Sequence, residues 1–229
     1  MATVTLPGGP TLSYQEWGRP DAAVVLLLHG LTSSSDSWRH VAPVLGQHFR
    51  VVAPDARGHG GSDWVQDYSF EAMRDDVVGL LDSLGILGAI VYGHSMGALT
   101  AYLLAATQPQ LVRLLVLEEM PPPDAAVPPR PLPRQHEEGD GHDWHAEIAV
   151  NRWRNADHRD WWDLADRIRV PTLVLGGQQS HLPQDRMRDL AGRLPDATFA
   201  DFDLGHGMHE ERPGEVLTVV EPFLSPLAK

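Results

Sequence analysis

The sequence of 229 residues contains no cysteine, and this absence excludes several kinds of chemistry. Without cysteine the chain has no disulfide, no thiolate nucleophile and no thiolate metal site. The chain also has a single lysine, Lys229 at its C-terminus. A Schiff base to a carbonyl substrate or to pyridoxal phosphate needs a lysine inside a pocket, so that chemistry is excluded as well.

Basic residues and long apolar runs are also scarce. The chain has 18 Lys and Arg against 31 Asp and Glu, which gives a net charge of −13. Binding to the phosphates of nucleic acid or of a membrane surface needs clustered positive charge, which this chain does not offer. We therefore expect neither nucleic acid nor a membrane as a partner. No apolar run approaches the roughly 20 residues that span a bilayer, and the N-terminus lacks the pattern of a secretion signal. We therefore expect a cytoplasmic protein with a small-molecule substrate, and the sequence is compatible with a homodimer.

Apolar runs alternate with amphipathic segments along most of the chain. This alternation predicts an α/β fold with a doubly wound, mostly parallel sheet, preceded by a hairpin at the sheet edge. The predicted strands are 3–6, 12–17, 23–28, 50–53, the run ending near Gly93, 111–117, 170–175 and 197–201. The predicted helices are 37–47, 70–84 (with Ser69 as its cap), the segment from the turn after Gly93 to Ala106, 183–194 and 213–224.

The composition changes between residues 121 and 167. Seven of the thirteen residues from Pro121 to Pro133 are proline, which excludes an ordinary helix there. The rest of the segment is polar but carries four of the seven tryptophans. We predict that 1–120 and 168–229 form the core and that 121–167 is a short helical lid insertion. Its tryptophans, among them Trp144 and Trp153, either line a substrate pocket or anchor the lid.

The segment Gly93-His94-Ser95-Met96-Gly97 carries the strongest chemical signal. It follows an apolar strand and begins a helix, so the chain reverses within two residues and Ser95 takes a strained backbone. The Ser95 hydroxyl then points out of the sheet. The N–H of Met96, at the start of the helix, points to the place where a substrate oxyanion would form.

Other polar residues also follow predicted strands and are expected at the same edge of the sheet. They are His29 and Leu31 after one strand, Glu118 and Glu119 after another, and His206 in a glycine-flanked loop after the last. His29 is a candidate substrate contact, with a simple turn as the alternative. In the polar loop 55–62, we expect a local salt bridge between Asp55 and Arg57.

With these motifs in their order, the chain resembles the serine-nucleophile, esterase-like branch of the α/β-hydrolase superfamily. The resemblance implies that Ser95 is the nucleophile, that His206 is its base, and that the N–H groups of Leu31 and Met96 form the oxyanion hole. Imidazole suits the role of base, because its ordinary pKa of about 6.5 leaves it neutral near pH 7. No metal and no cofactor are implied.

The third catalytic residue departs from the family's commonest pattern. Relatives usually carry an aspartate a few residues after the penultimate strand, where this chain has His181. Some members carry the acid after the preceding strand, and there this chain has Glu118 and Glu119. We predict Glu119 as the acid and Glu118 as the second choice, with Asp185 and Asp203 as outside alternatives. The remaining interpretation is that both glutamates are solvated and that the chain has lost the catalytic acid.

The resemblance implies hydrolysis of a carboxylic ester or lactone of a small to medium apolar substrate through an acyl-serine. One alternative is a carbon–carbon bond hydrolase of a diketone-type substrate, and another is a degenerate small-molecule binder or biosynthetic accessory protein. Arginines of the insertion are candidates for binding a substrate carboxylate, although surface arginines are the simpler interpretation; they are Arg130, Arg134, Arg152 and Arg154. The remaining histidines near the site are expected to be solvated; they are His136, His142, His145, His158 and His209.

Overall fold

The computed structural model describes residues 1–124, 128–135 and 141–228. One sheet holds the strands β1 (Ala2–Thr5), β2 (Thr11–Trp17), β3 (Val24–Leu28), β4 (Arg50–Pro54), β5 (Ala89–His94), β6 (Val112–Glu118), β7 (Thr172–Gly177) and β8 (Ala197–Phe202). The α-helices are α1 (Ala42–Leu45), α2 (Phe70–Ser83), α3 (Met96–Thr107), α4 (Trp144–Asn155), α5 (Gln184–Arg193), α6 (Met208–Glu211) and α7 (Pro213–Leu224). Short 3-10 helices cover Ser35–Trp38, Pro109–Leu111, Arg159–Arg167 and Ser225–Leu227.

The strands lie in the order β1-β2-β4-β3-β5-β6-β7-β8. The first two pair antiparallel and form the predicted edge hairpin, and the strands from β4 to β8 pair parallel. The predicted α/β fold with a mostly parallel sheet is therefore confirmed. Because parallel strands end at one edge, the loops after β3, β5, β6 and β8 meet there.

Neighbouring residues of each central strand face opposite sides of the sheet and enter different cores. Leu26 and Val91 lie in the core that α2, α3 and α5 cover. Leu27 and Tyr92 lie in the core that α1 and α7 cover. Burial on both faces explains why these strands are continuously apolar in the sequence.

The prediction of one continuous helix over 37–47 is wrong. The structure has the 3-10 helix Ser35–Trp38, a turn, and then the short helix α1. Pro43 near the start of α1 has no N–H to donate to a preceding turn, which prevents one continuous helix. The helical spacing of the apolar residues still indicated the buried side, because Trp38, Val41 and Leu45 are all buried.

The predicted salt bridge in the loop 55–62 is also wrong. The Arg57 guanidinium instead pairs with Asp76 of α2, with an Nε to Oδ2 distance of 2.6 Å. The Asp55 carboxylate accepts from the backbone N–H groups of Ser35 (2.7 Å) and Gly61 (2.9 Å). Asp55 therefore fixes the loop through backbone groups, and a residue distant in sequence neutralises Arg57.

The insertion, residues 121–167, contributes α4 and the 3-10 helix Arg159–Arg167 between β6 and β7. The backbone N–H of Asp143 donates to the Gly58 carbonyl at 2.6 Å, and the Tyr102 hydroxyl of α3 donates to the Trp161 carbonyl at 2.7 Å. These bonds attach both helical parts of the insertion to the core. The division into core and lid stays a prediction, as do the cytoplasmic location and the homodimer. No helix of the described ranges combines the length and apolar character needed to cross a bilayer.

Candidate active site

Ser95 lies in the sharp turn between β5 and α3, in a backbone conformation that non-glycine residues rarely adopt. Its φ is 53° and its ψ is −111°. A Cβ on Gly93 would collide with the Gly97 carbonyl, and a Cβ on Gly97 would collide with the Leu28 carbonyl. Both positions therefore require glycine, and the close packing around them holds the strained serine in place. The Ser95 N–H donates to the Glu118 carbonyl at 2.9 Å, which ties the turn to β6.

A continuous hydrogen-bonded path joins Ser95, His206 and Glu119. The distance from Ser95 Oγ to His206 Nε2 is 3.0 Å, and the distance from His206 Nδ1 to Glu119 Oε2 is 2.9 Å. In this arrangement the serine hydroxyl donates to Nε2, and the Nδ1–H donates to the carboxylate. The structure thus brings together the three residues that the sequence analysis selected as nucleophile, base and acid.

The Glu119 carboxylate is completely buried, and several donors hold both of its oxygens. Oε1 accepts from the Gly177 N–H at 2.7 Å and from Gln184 Nε2 at 3.1 Å. Oε2 accepts from the Ser180 hydroxyl as well as from His206. The residue has a φ of 50°, and its own N–H donates to the Leu175 carbonyl of β7 at 3.0 Å. These bonds fix the carboxylate that orients the histidine.

Two backbone N–H groups are available beside the serine. Within the part of the chain that the structure describes, the N–H groups of Leu31 and Met96 donate to no other protein group. Met96 is the first residue of α3, where the helix dipole favours negative charge. The loop that carries Leu31 packs against the elbow, since a Cβ on Gly30 would lie 2.8 Å from His94 Nδ1. This arrangement fits the predicted oxyanion hole.

Glu118 and His209 form a second carboxylate–histidine pair, separate from that of Glu119 and His206. Glu118 Oε1 accepts from His209 Nδ1 at 2.7 Å, and Glu118 Oε2 accepts from the Tyr92 hydroxyl. Burial alone would raise the pKa of Glu118, but the charge and hydrogen bond of His209 lower it to about 2. His209 is fully buried and stacks on Trp38 with ring centroids 4.1 Å apart. The expectation that His209 is solvated is therefore wrong.

His94 lies between the two pairs, and the sequence analysis gave it no role. Its Nε2–H donates to the His206 carbonyl at 2.9 Å, and its ring centroid is 4.8 Å from that of His206 and of His209. Burial, followed by the charge of His209, lowers the pKa of His94 to about 3, so the ring is neutral near pH 7. The position of His94 in the elbow motif was the available signal, since it directly precedes Ser95.

One group of side chains has the composition of a metal site. Within the described residues, ligand atoms of His94, Glu118 and His209 lie within 4.8 Å of one another. Both Glu118 oxygens and the Nδ1 of His209 are already engaged in the hydrogen bonds of this cluster. The geometry is accounted for by those bonds, and the absence of a metal stays a prediction.

His29 is buried, with 2% of its surface exposed. Its Nδ1 lies 2.7 Å from the Gly30 carbonyl, and its Nε2 accepts from the Ala56 N–H at 2.9 Å. Both ring nitrogens are therefore bonded to backbone groups. These contacts favour a structural role for His29, in which it supports the loop that carries Leu31, over the predicted role as a substrate contact.

The two tryptophans chosen as substrate contacts have different environments. Trp153 packs edge-on against Phe70 at 4.9 Å and against Trp161 at 4.7 Å, which favours the anchoring role. Trp144 lines a cavity of about 670 Å³ together with Thr32, the residue after Leu31. Trp144 therefore lies at a cavity beside the Leu31 loop, and its role as a substrate contact stays a prediction.

A second cavity, of about 570 Å³, is lined by prolines of the insertion and by His181. The ring centroid of His181 lies 4.5 Å from that of His206. Partial burial and nearby positive charges, that of His206 first, lower the pKa of His181 to about 4. A neutral histidine here does not replace the acid. Of the outside alternatives, Asp185 lines this cavity, and Asp203 accepts from Gln179 Nε2 at 2.9 Å.

The described histidines of the insertion do not join the hydrogen-bonded path. His142 is buried and stacks with His59 at 5.8 Å, so the expectation of a solvated ring is wrong for it. His145 is exposed and bonds to Asp143, while His158 Nε2 lies 3.0 Å from the Trp153 carbonyl. His136 lies outside the described residues.

Comparison with known proteins relates this site to a family. A family model described as alpha/beta hydrolase fold matches residues 23–137, the part that carries the oxyanion loop, the elbow and Glu119. The AB hydrolase superfamily protein YfhM of Bacillus subtilis is 34% identical over 128 residues, which are 54% of this chain and 45% of the relative. The match therefore spans less than half of that relative's length.

Two further proteins are similar over nearly the whole chain. A putative esterase/lipase of Haemophilus influenzae is 24% identical over 242 aligned residues, covering 88% of this chain and 83% of the relative. The solved structure of a thermophilic esterase from Thermogutta terrifontis has a TM-score of 0.84 at 24% identity, and the match covers 100% of this chain and 99% of the other. With the family model matching half of the sequence and the fold agreeing along its length, this chain belongs to the α/β hydrolase fold family.

Proposed function

We propose that the protein is a serine hydrolase that cleaves a carboxylic ester or lactone of a small to medium apolar substrate through an acyl-Ser95 intermediate. The observation that carries the proposal is the hydrogen-bonded path from Ser95 Oγ through His206 to Glu119. The name of the Haemophilus influenzae relative, a putative esterase/lipase, agrees with it. No cofactor enters the proposed reaction.

In the acylation half, Ser95 Oγ attacks the substrate carbonyl carbon while His206 Nε2 takes the hydroxyl proton. The carbonyl oxygen becomes an oxyanion, and the N–H groups of Leu31 and Met96 stabilise it; each such donor contributes about 3 to 4 kcal/mol in comparable enzymes. Glu119 holds the histidine in the tautomer that leaves Nε2 free and stabilises the imidazolium. The carbon–oxygen bond to the alcohol then breaks, and His206 gives the alcohol its proton.

In the deacylation half, the same groups act on water. His206 Nε2 takes a proton from a water molecule, whose oxygen attacks the acyl carbon. The oxyanion forms again at the same two N–H groups. When the bond to Ser95 Oγ breaks, the proton returns from the histidine to the serine, and the carboxylic acid product leaves.

The site also bears on the alternative functions. Epoxide and haloalkane substrates are opened in this superfamily by a carboxylate nucleophile, which a serine at residue 95 cannot supply. The degenerate binder was suggested by His181 in the acid position, but Glu119 reaches the histidine from the preceding strand. Hydrolysis of a carbon–carbon bond remains the second candidate, because the same serine and oxyanion hole would serve it.

The test compares wild type with Ser95→Ala on p-nitrophenyl butyrate, a lactone and a vinylogous diketone. We expect the variant to lose turnover of the ester by about 10⁶-fold, as when the nucleophile of a triad is removed. Mass spectrometry of the wild-type protein should detect a butyryl group on the peptide that contains Ser95. Ser83→Ala, at an exposed position at the end of α2, is the matched control and should turn over like wild type. Equal ester turnover by wild type and Ser95→Ala would overturn the proposal.

A further inference from the structure

The cavity beside His181 contains an unusual concentration of arginine for an acidic protein. It is lined by five proline side chains of the insertion and by the charged residues Arg130, Arg154, Arg186, Asp124 and Asp185. Arg186 pairs with Asp124 and with Asp189 and also lies over the ring of Trp162. The charge of Arg186 is therefore already compensated within the protein.

The other two arginines of the cavity differ from Arg186. Within the described ranges, neither Arg130 nor Arg154 forms an ion pair, and both side chains are half-buried. The two side chains line the same cavity. Burial, followed by the charge of Arg130, lowers the pKa of Arg154 to about 10. Two like charges held together in a half-buried cleft are unfavourable unless an anion binds between them.

Two hydrogen bonds between the Asn155 side chain and the Arg130 backbone hold this pair together. Arg130 N–H donates to Asn155 Oδ1 at 2.6 Å, and Asn155 Nδ2 donates back to the Arg130 carbonyl at 2.8 Å. Asn155 directly follows Arg154 at the end of α4. The proline-rich segment and the helix are thus joined at the point from which both arginines extend.

The pair lies beside the catalytic histidine. Both arginines line the same cavity as His181, and the ring centroid of His181 is 4.5 Å from that of His206. A substrate whose carbonyl lies at Ser95 and whose remainder enters this cavity would therefore approach the pair. Apart from the Arg186–Asp124 pair, the described lining of the cavity carries two arginines and one carboxylate, that of Asp185, and this charge balance favours a monoanion.

We infer that Arg130 and Arg154 form a binding site for a substrate carboxylate, so that the preferred substrate is an ester or lactone that carries a second, free carboxylate a few bonds from the scissile carbonyl. The inference rests on the proposed hydrolase function and names its substrate class. Arginine suits this task, because its planar guanidinium binds a carboxylate through two parallel hydrogen bonds.

The kinetic test uses two substrates with the same glutaryl chain: mono-p-nitrophenyl glutarate, which is anionic, and its methyl ester, which is neutral. We expect wild type to have a kcat/KM at least about 10-fold higher on the anionic substrate, since hydrogen bonds to a charged group contribute 1.5 to 3 kcal/mol. In Arg154→Met and in Arg130→Met, the ratio of the two kcat/KM values should fall about 10- to 100-fold, mainly through KM. Arg152→Met, an exposed arginine of the same helix that does not line the cavity, is the matched control and should keep the wild-type ratio.

The binding test does not depend on turnover. Glutarate should bind to the Ser95→Ala protein in calorimetry, and adding Arg154→Met to that protein should weaken binding at least 10-fold. Thermal unfolding of each variant shows whether it is folded, and Arg130→Met provides a second, independent change if Arg154→Met does not fold.

The outcomes separate the two proposals. Equal wild-type kcat/KM on both substrates, or an equal loss of the ratio in Arg152→Met, would overturn the carboxylate site even if Ser95→Ala abolishes ester turnover. Tighter binding of inorganic phosphate than of glutarate would overturn the choice of a carboxylate. Undiminished ester turnover in Ser95→Ala would instead defeat the hydrolase proposal, whatever the calorimetry of the arginine variants shows.

Discussion

Two carboxylates at the end of β6 are adjacent in sequence and equally buried, yet they occupy two different regions. Glu119 lies at the rim, bonded to a half-buried histidine that reaches Ser95. Glu118 lies under the sheet, bonded to a fully buried histidine that stacks on Trp38. Burial and a histidine partner are therefore not enough to identify a catalytic acid. The decisive difference is whether the histidine reaches the nucleophile.

The strand explains why the two side chains separate. Leu114 and Val116 of β6 face the core under α1 and α7, and the period of two places Glu118 on that same side. Glu119 leaves the strand with a φ of 50° and turns toward the end of β7. The positive φ places the second carboxylate at the rim, where an extended residue would have pointed into the opposite core.

Of the changes that test this comparison, Glu119→Gln should have the largest effect. The amide keeps the shape of the side chain but loses the charge that orients His206 and stabilises it when protonated. We expect kcat on p-nitrophenyl butyrate to fall about 10⁴-fold, as for the equivalent change in other triads. Stopped-flow or long-time-course assays measure this, with circular dichroism to show that the variant is folded. A loss below 10-fold would mean that Glu119 is not the acid.

Glu118→Gln should reverse the pattern, with a large loss of stability and a small loss of turnover. It removes the carboxylate that pairs with the buried His209, and breaking a buried pair costs about 3 to 5 kcal/mol of unfolding free energy. Urea denaturation measures that loss. In the folded protein kcat should change less than 10-fold. A fall in kcat matching that of Glu119→Gln, without loss of stability, would transfer the role of acid to Glu118.

The Glu118 region should also make the protein acid-sensitive. His94 has a folded pKa of about 3, so below about pH 6.5 the unfolded chain binds a proton at this residue that the folded chain does not. Glu118 has a folded pKa of about 2, so the unfolded chain likewise binds an extra proton below about pH 4.5. Both groups act in one direction, and the unfolding free energy should fall by a few kcal/mol as pH drops from 7 toward 4. Urea titrations at a series of pH values measure it. A stability that stays constant over this range would contradict the burial of these groups.

The smallest effect should come from His94→Asn, which changes the residue between the two regions. The shorter side chain cannot donate to the His206 carbonyl, and the loss of one hydrogen bond of 0.5 to 1.5 kcal/mol should reduce kcat about 3- to 10-fold. Because this is a positioning effect, kcat should fall more than KM changes, and the same variant should lose less stability in acid than wild type does. An unchanged kcat would show that the His206 loop is held by its other contacts.

Much of the fold and the core of the site could be predicted from local patterns. Continuous apolar strands, a glycine-bracketed serine and a histidine between glycines all have short-range causes, so each is visible in a few neighbouring residues. The partners of Arg57 and His209 were not visible, because Asp76 and Glu118 are far away in the sequence. Pro43 was a local signal for the break in the predicted helix 37–47. The prediction followed the helical spacing of the apolar residues instead.

The sequence by itself determined the alternation that yields a parallel sheet, and with it the strand ends at which polar residues gather. It also determined the turn at Ser95, because only glycine fits at residues 93 and 97. Only the tertiary structure decided which of two adjacent glutamates faces His206, and that two arginines of the insertion share a cavity beside it. The physical reason is that a strand's side chains alternate with a fixed period, whereas the direction of a residue just beyond the strand, and the neighbours of a loop, depend on packing between distant segments.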